Sequence, residues 1–221
     1  MALQPAGTNP VSLKIDFVSD VSCPWCVIGL KSLEQALQRL DGKITTQIHF
    51  QPFELNPDMP PEGQGNDEYL KQKYGSMPEQ FAKNREAIRA RCEALGFDFR
   101  KRERIYNTHD AHRLLHWAGL EGRQQALKHA LFRAYFTDGD DIGAHDVLTR
   151  VASDVGLSPV RAREILSSDA YTADVRAQER FYMEHGIHAV PAVIINDRHL
   201  ISGGQPVDVF EGALRQIAGL E

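Results

Sequence analysis

The sequence predicts an α/β fold interrupted by a long helical insertion. Three observations carry this reading. An alternating apolar segment, Leu13 to Val18, is followed by a helical pattern to about Leu40 and a second alternating segment, Ile44 to Phe50. From Asn66 to about His185 the texture is helical, punctuated by turns. Strand texture then returns at Ala192 and gives way to one last helix. The order is therefore β-α-β, a helical block, then β-β-α. The two ends need each other to complete one sheet. This divides the chain into a discontinuous α/β domain, 11–62 with 187–221, and an all-helical insertion, 63–186.

The elements follow in order. Leu13, Ile15 and Phe17 alternate with Lys14, Asp16 and Val18, which reads as strand one. The first helix starts at Pro24; Ile28, Leu33, Ala36, Leu37 and Leu40 form its core stripe, and Asp41-Gly42 ends it. Ile44, Thr46, Ile48 and Phe50 share one side of strand two. A strand, helix, strand unit of this length predicts parallel pairing by a right-handed crossover. Pro52 to Gly65 holds too many prolines for regular structure. Helical spacing then recurs at Pro78–Leu95, Ala111–Gly119, Gly122–Phe136, Ala144–Val155 and Pro159–Leu166, with turns at Gly75, Gly96, Gly119, Gly139 and Gly156. Ser158-Pro159 reads as an N-cap followed by proline at the first helical position. Thr172 to His185 is a further helix closed by Gly186. Ala192 to Asn196 and His199 to Ser202 form a hairpin about the turn Asn196-Asp197-Arg198. Pro206 to about Ala218 is the last helix, with Val209, Phe210, Leu214 and Ile217 inward.

Composition sets the outer bounds. With 221 residues, 42% hydrophobic and 25% charged, the chain suits one globular unit with an insertion. A net charge of -5 argues against a nucleic-acid partner. No apolar run approaches the roughly 20 residues of a membrane span. Met1 to Pro10 lacks the basic start and apolar core of a signal peptide and reads as a short disordered lead. Three cysteines without a secretion signal imply a reducing compartment, hence a cytoplasmic setting.

The chemistry-bearing stretch is Ser22-Cys23-Pro24-Trp25-Cys26. Two cysteines two residues apart at a strand-to-helix junction form a dithiol able to close on itself. Cys23 is expected at the N-cap, with Pro24 at the first helical position, where a missing N–H costs nothing. The Cys23 sulfur can then accept from the amides of Trp25 and Cys26, and the helix dipole adds positive potential. Both effects are expected to lower the Cys23 pKa from roughly 8.5. Cys26, one turn in, suits the resolving role. Zinc needs four ligands, and no second Cys-x-x-Cys is present, so no metal is expected.

A dithiol at the first helix of this element order gives a thioredoxin-like fold with a helical insert. Several motifs go further: Asp20-Val21-Ser22-Cys23-Pro24-Trp25-Cys26-Val27-Ile28-Gly29, Pro52-Phe53-Glu54-Leu55-Asn56-Pro57-Asp58-Met59-Pro60, and Asn107-Thr108 with Asp110-Ala111-His112-Arg113-Leu114. Leu131-Phe132-Arg133-Ala134-Tyr135-Phe136, Val190-Pro191 before a strand, and Ser202-Gly203-Gly204-Gln205-Pro206 complete the set. Together, from about Leu13 to Ala218, they resemble the DsbA superfamily in its FrnE-like branch. The resemblance implies a thiol–disulfide oxidoreductase or isomerase, with Cys23 and Cys26 catalytic and a cis proline, Pro191, facing them. Pro24, Trp25, Asn56, Pro57, Val190 and Pro191 are the expected substrate-binding residues. A cis bond at Pro191 would leave the Val190 main chain free to pair with a substrate strand. No cofactor is required, and the expected partner is a disulfide-containing protein or a small thiol. Glutathione is open as reductant or co-substrate.

Two other readings stay open. The sister branch, glutathione-dependent isomerases and transferases on small apolar substrates, typically has serine at the Cys23 position, yet the Asn56-Pro57 loop fits it. A partner-binding module with a relic dithiol is the reading outside enzymology. Smaller features have bland explanations. His185 and His188 could stabilise a Cys23 thiolate but read first as solvent-facing. A carboxylate near Cys26 could shuttle its proton, yet Asp16 and Asp20 are expected on the surface. His109, His112 and His116 share a helical face able to bind a metal, without matching carboxylates or cysteines. Cys92 lies on an apolar stripe and reads as a buried small hydrophobe.

Overall fold

A computed structural model of the chain describes residues 10–100 and 102–220. The expected N-terminal lead, Met1 to Pro10, lies outside them except for Pro10. Strand β1 (Val11–Ser19) runs parallel to β2 (Ile44–Pro52), with helix α1 (Pro24–Arg39) between them. The register sets Ile15 against Ile48 and Phe17 against Phe50, whose rings meet edge to face at 5.8 Å. On the other side of β1, β5 (Ala192–Ile195) pairs antiparallel, and β6 (His199–Ser202) pairs antiparallel with β5. The sheet order is β2-β1-β5-β6. Asn196 and Asp197 turn the β5–β6 hairpin with φ of 53° and 56°, a left-handed pair that Asn and Asp tolerate. Being central, β1 is buried on both faces from Ile15 to Ser19, so its alternation fades toward the dithiol.

Helix α9 (Val207–Ala218) packs on α1, where Arg39 Nη1 meets Asp208 at 2.7 Å and Glu211 at 3.1 Å. Between β2 and β5 the chain is predominantly helical: α2 (Asn66–Tyr74), α3 (Pro78–Ala94), α4 (His109–Leu120), α5 (Gln124–Arg133), α6 (His145–Asp154), α7 (Pro159–Leu166) and α8 (Thr172–Glu184). A π-helical turn, Ala134–Asp138, continues α5. Ser158 caps α7 as expected, accepting the Arg161 N–H at 3.3 Å. Helices α4, α5 and α8 pack against β2. Gln124 closes the outer edge of that strand: its side-chain amide accepts from Phe50 N–H at 2.9 Å and donates to Phe50 O at 3.0 Å. At Phe50 the edge therefore has no free main-chain group for further pairing. Arg113, buried in α4, donates to the carbonyls of Ile165, Ser168 and Ala170, so it ties the end of α7 to α4.

Three differences from the sequence reading have physical causes. Helix α4 runs through Gly119; the turn falls at Gly122, whose φ of 66° needs glycine. Helix α2 is absent from the sequence reading, because its polar sequence has no apolar stripe and buries only Asn66. A two-residue antiparallel ladder, β3 (Gln64–Gly65) with β4 (Arg104–Ile105), is too short to show periodicity.

Candidate active site

The dithiol sits where β1 gives way to α1. Ser19, Asp20, Val21 and Ser22 are buried, and the Cys23 N–H donates to Asp20 O at 3.2 Å. Cys23 has extended backbone at the N-cap and Pro24 follows at the first helical position. Its sulfur makes no capping bond; the Cys26 N–H is taken by Cys23 O at 3.1 Å. The expected sulfur–amide contact is thus replaced by a main-chain turn. The Cys23 Sγ instead lies 3.7 Å from Val190 O, to which the thiol donates. The Val190–Pro191 peptide bond is cis.

The two sulfurs face different surroundings. Cys23 lines a cavity of about 470 Å³, together with Trp25, Asn56 and Val190. Cys26 is fully buried beneath it. Burial, and then the adjacent Cys23 sulfur, push the Cys26 thiol well above its ordinary range, with Lys128 pulling the other way. Trp25 is 39% exposed, with the Arg91 guanidinium 5.3 Å from its ring centroid. Asn56 Oδ1 accepts from Tyr69 Oη at 2.5 Å and from Lys73 Nζ at 3.4 Å. Pro57 stands outside the cavity wall. Pro191 is buried behind Val190, against Gly29; a Cβ on Gly29 would lie 3.0 Å from Pro191 Cγ.

Behind the cysteines lies a charged group that sequence reasoning misplaces. Asp20 and Asp16 are buried, not solvated. Asp20 Oδ1 accepts the Ser22 N–H at 3.1 Å and Oδ2 the Leu55 N–H at 2.8 Å, while His112 Nε2 stands 3.7 Å away. Burial pushes the Asp20 carboxyl up, but His112 and the two amides together outweigh it and hold the group below its ordinary value. Asp16 accepts from Gln51 Nε2 at 2.6 Å and meets Lys14 Nζ at 3.0 Å. Lys128, on α5, belongs to no motif, although its spacing of three and four from Leu131 and Phe132 places it on the apolar stripe of the helix. It is fully buried, its Nζ lies 4.8 Å from the Phe132 ring centroid, and it has no hydrogen-bond partner among the described residues. Burial pulls its ammonium down to about 8, against the negative charges available to Cys26, Asp20 and Cys23.

The histidines separate. His109 Nδ1 meets Glu54 Oε1 at 2.8 Å, an oxygen that Arg176 also reaches at 2.7 Å. His112 faces Asp20, and His116 stacks on Tyr171 at 5.1 Å. His185 pairs with Phe181 O at 2.7 Å and His188 is exposed. Cys92 is buried on α3, and burial pushes its thiol up to about 12. Among the described residues no cluster of His, Cys, Asp and Glu could hold a metal, and no helix is long and apolar enough to cross a membrane.

A paired dithiol with one sulfur on a cavity and one beneath it can exchange disulfides without a cofactor. Comparison with known proteins agrees. The crystal structure of a probable DsbA oxidoreductase from Streptomyces coelicolor superposes with a TM-score of 0.89 at 32% identity, covering 95% of this chain and 91% of that one. The uncharacterized protein YwbO of Bacillus subtilis is 29% identical over 208 residues, 92% of this chain and 96% of its own length. A cytosolic disulfide reductase, DsbM of Pseudomonas aeruginosa, shares the fold at 17% identity, with a TM-score of 0.63 over 94% of this chain and all of its own, 100%. The family model for the DSBA-like thioredoxin domain matches residues 14–215, so the chain belongs to that family of disulfide oxidoreductases.

Proposed function

We propose that the protein exchanges disulfides through Cys23 as attacking thiolate and Cys26 as resolving thiol, in the manner of the FrnE-like branch. One observation carries this reading: Cys23 lines the cavity while Cys26 is sealed below it. Cys23 attacks one sulfur of a substrate disulfide, forms a mixed disulfide and expels the other sulfur as thiolate. Cys26 then loses its proton and attacks Cys23, closing the Cys23–Cys26 disulfide and releasing the second substrate thiolate. Two electrons pass from the dithiol to the substrate; an external thiol, or the reverse reaction, resets the pair. If another thiolate of the same substrate attacks the substrate sulfur of the mixed disulfide before Cys26 attacks, it forms a new substrate disulfide and expels Cys23 as thiolate, and the outcome is isomerisation.

Val190 O, 3.7 Å from Cys23 Sγ, is the main-chain group that a bound substrate would meet first. Trp25, Asn56 and Pro24 would border it from the cavity wall. Glutathione is the favoured external thiol, a reading supported by the DsbM structure, which was determined with glutathione. A reducing, cytoplasmic setting suits a chain with three free cysteines. Residues 63–186 form the part that sets access to the dithiol.

The test is trapping. Cys26→Ser should accumulate a mixed disulfide on Cys23, seen by mass spectrometry, while Cys23→Ser should lose disulfide reduction by at least about a hundredfold. Unchanged reduction by Cys23→Ser overturns the assignment.

A further inference from the structure

The cavity beside Cys23 has a charge pattern that the exchange chemistry does not use. Its wall carries Lys73, Arg85, Arg100 and Arg102 and contains no aspartate or glutamate among the described residues, although the whole chain carries a net charge of -5. Two of these cations are already matched. Arg85 pairs with Asp67 at 3.0 Å and Arg100 with Asp98 at 2.7 Å. The other two meet no carboxylate among the described residues. Arg102 Nη1 donates to Ser22 O and to Tyr135 Oη, both at 3.2 Å. Its guanidinium lies over aromatic rings, 4.9 Å from the Phe136 centroid and 5.2 Å from that of Tyr135. Nε and Nη2 make no hydrogen bond among the described residues, although a guanidinium presents five N–H donors. Lys73 Nζ donates to the neutral Tyr69 Oη, at 2.5 Å, and to Asn56 Oδ1, at 3.4 Å, and lies 5.1 Å and 5.9 Å from the ring centroids of Tyr69 and Tyr74, all uncharged groups.

Solvation accounts for Lys73 at the exposed rim, but less well for Arg102. Arg102 is partly buried against rings, where a charge without a counter-ion is costly. A planar guanidinium with free donors suits a carboxylate, in a charge-assisted and often bidentate contact. Through its bond to Ser22 O, Arg102 is fixed to the residue before Cys23, so an anion bound there lies close to the reacting sulfur. The rest of the wall is mostly apolar, with Tyr74, Phe81, Ile88 and Phe99. A cavity of about 470 Å³ falls within the range of small-molecule sites.

Resting on the oxidoreductase reading above, the geometry points to a small disulfide with a carboxylate-bearing, largely apolar body as the preferred substrate, its carboxylate held by Arg102 and Lys73. The electron transfer is the one already written; the cations select which disulfide presents itself to Cys23.

The experiment compares three small disulfides of similar length: dithiodipropionate, a dianion; hydroxyethyl disulfide, neutral; and cystamine, a dication. Each is mixed with pre-reduced full-length protein, and the second-order rate of dithiol oxidation is followed by acid quenching and thiol alkylation. The dianion should react at least about tenfold faster than the neutral disulfide and the dication slowest, after correction for their reactivity with a small dithiol in solution. The dianion-to-neutral ratio should fall toward one with added salt, in Arg102→Gln and in Lys73→Gln, and recover partly in Arg102→Lys. Because the ratio is taken within each variant, a general loss of activity does not mimic the effect. Equal corrected rates for all three disulfides, or a ratio untouched by both glutamine variants, overturns this inference and leaves the exchange reading standing. Likewise, efficient reduction of a protein disulfide with no discrimination among the three assigns the cavity to polypeptide. Failure to oxidise the dithiol with any disulfide removes the exchange reading, and this inference with it.

Discussion

At the scale of single residues, the informative position is Lys128. On α5 it follows Leu127 and stands three and four residues before Leu131 and Phe132, on the buried face of the helix, but its place near the dithiol follows only from how α5 meets β2. Sequence spacing sees neighbours within a turn; it does not see a contact made across about a hundred residues. The same limit puts Asp16 and Asp20 on the surface in the sequence reading, although Cys23, Cys26 and Val190-Pro191 are legible from local motif alone. The burial has a consequence for stability against pH. The ammonium of Lys128 titrates near 8 in the folded protein and near 10.5 when unfolded. The unfolded state therefore binds the proton more tightly, so this group penalises the fold fully below pH 8. The penalty fades as pH rises toward 10.5. Lys128→Met, close to isosteric, should stabilise the protein by about 3 kcal/mol at pH values below 8 and by little above 10.5. Cys92, whose raised value favours the fold at lower pH, acts in both proteins, whereas Cys26 responds to Lys128 and is therefore replaced by serine in both. Urea midpoints of Cys26→Ser with and without Lys128→Met across this range isolate the Lys128 contribution; a difference that does not change with pH would sink the assignment. The same substitution removes the positive charge that favours the Cys26 thiolate. The mixed disulfide on Cys23 should then resolve more slowly, by about tenfold, in a quenched time course.

At the scale of elements, the hydrophobic period is enough to find β1, β2, β5 and most helices, because these bury a face against a neighbour, while β6, without a buried residue, is found from the turn that precedes it. It fails for α2, whose role is to wall the cavity with Tyr69 and Leu70 rather than to fill the core. Nor can it say how closely α1 is approached from the far side. Gly204, in the turn after β6, comes so near that an added Cβ would stand 2.8 Å from Trp25 O and 3.3 Å from Ile28 Cγ2. Since a backbone oxygen cannot swing aside, the first turn of α1 or the loop after β6 must move. Gly204→Ala should cost about 1–3 kcal/mol in chemical unfolding, the range seen for overpacking. It should also change the fluorescence of Trp25, on the displaced turn. Gly212, in α9, is the control: a methyl group added there would meet no described atom within 4 Å, so Gly212→Ala should leave Trp25 unchanged. An unaltered midpoint for Gly204→Ala would show that the turn yields without cost.

At the scale of the whole molecule, the question is whether the sheet and its insertion fold as one. The sequence divides them by texture, and texture is blind to what lies between two layers. The main buried cluster spans both: Ile15 and Phe17 of β1 and Leu33 of α1 join Leu114, Leu131, Phe132 and Ile165 of the inserted helices, and a smaller second cluster joins Val18 and Ala192 of the sheet to Tyr182 of α8. Asp20 faces His112 on α4, and Cys26 feels Lys128 on α5, so the dithiol is itself part of this junction. Chains above about 150 residues often unfold in stages, but a shared core ties the parts together, because neither can open without exposing the other. The two tryptophans stand on opposite sides of the junction. Trp25 is in the first turn of α1, while Trp117 is buried in α4, its Nε1 donating to Glu121 at 3.2 Å. Single-tryptophan variants, Trp25→Phe and Trp117→Phe, therefore report the two parts separately. After correction for each variant's own stability by circular dichroism, both fluorescence transitions in urea should coincide with the loss of helix. A Trp117 transition that precedes or trails the Trp25 transition would show an insertion that opens on its own, and the continuity of the core would then be packing without cooperativity.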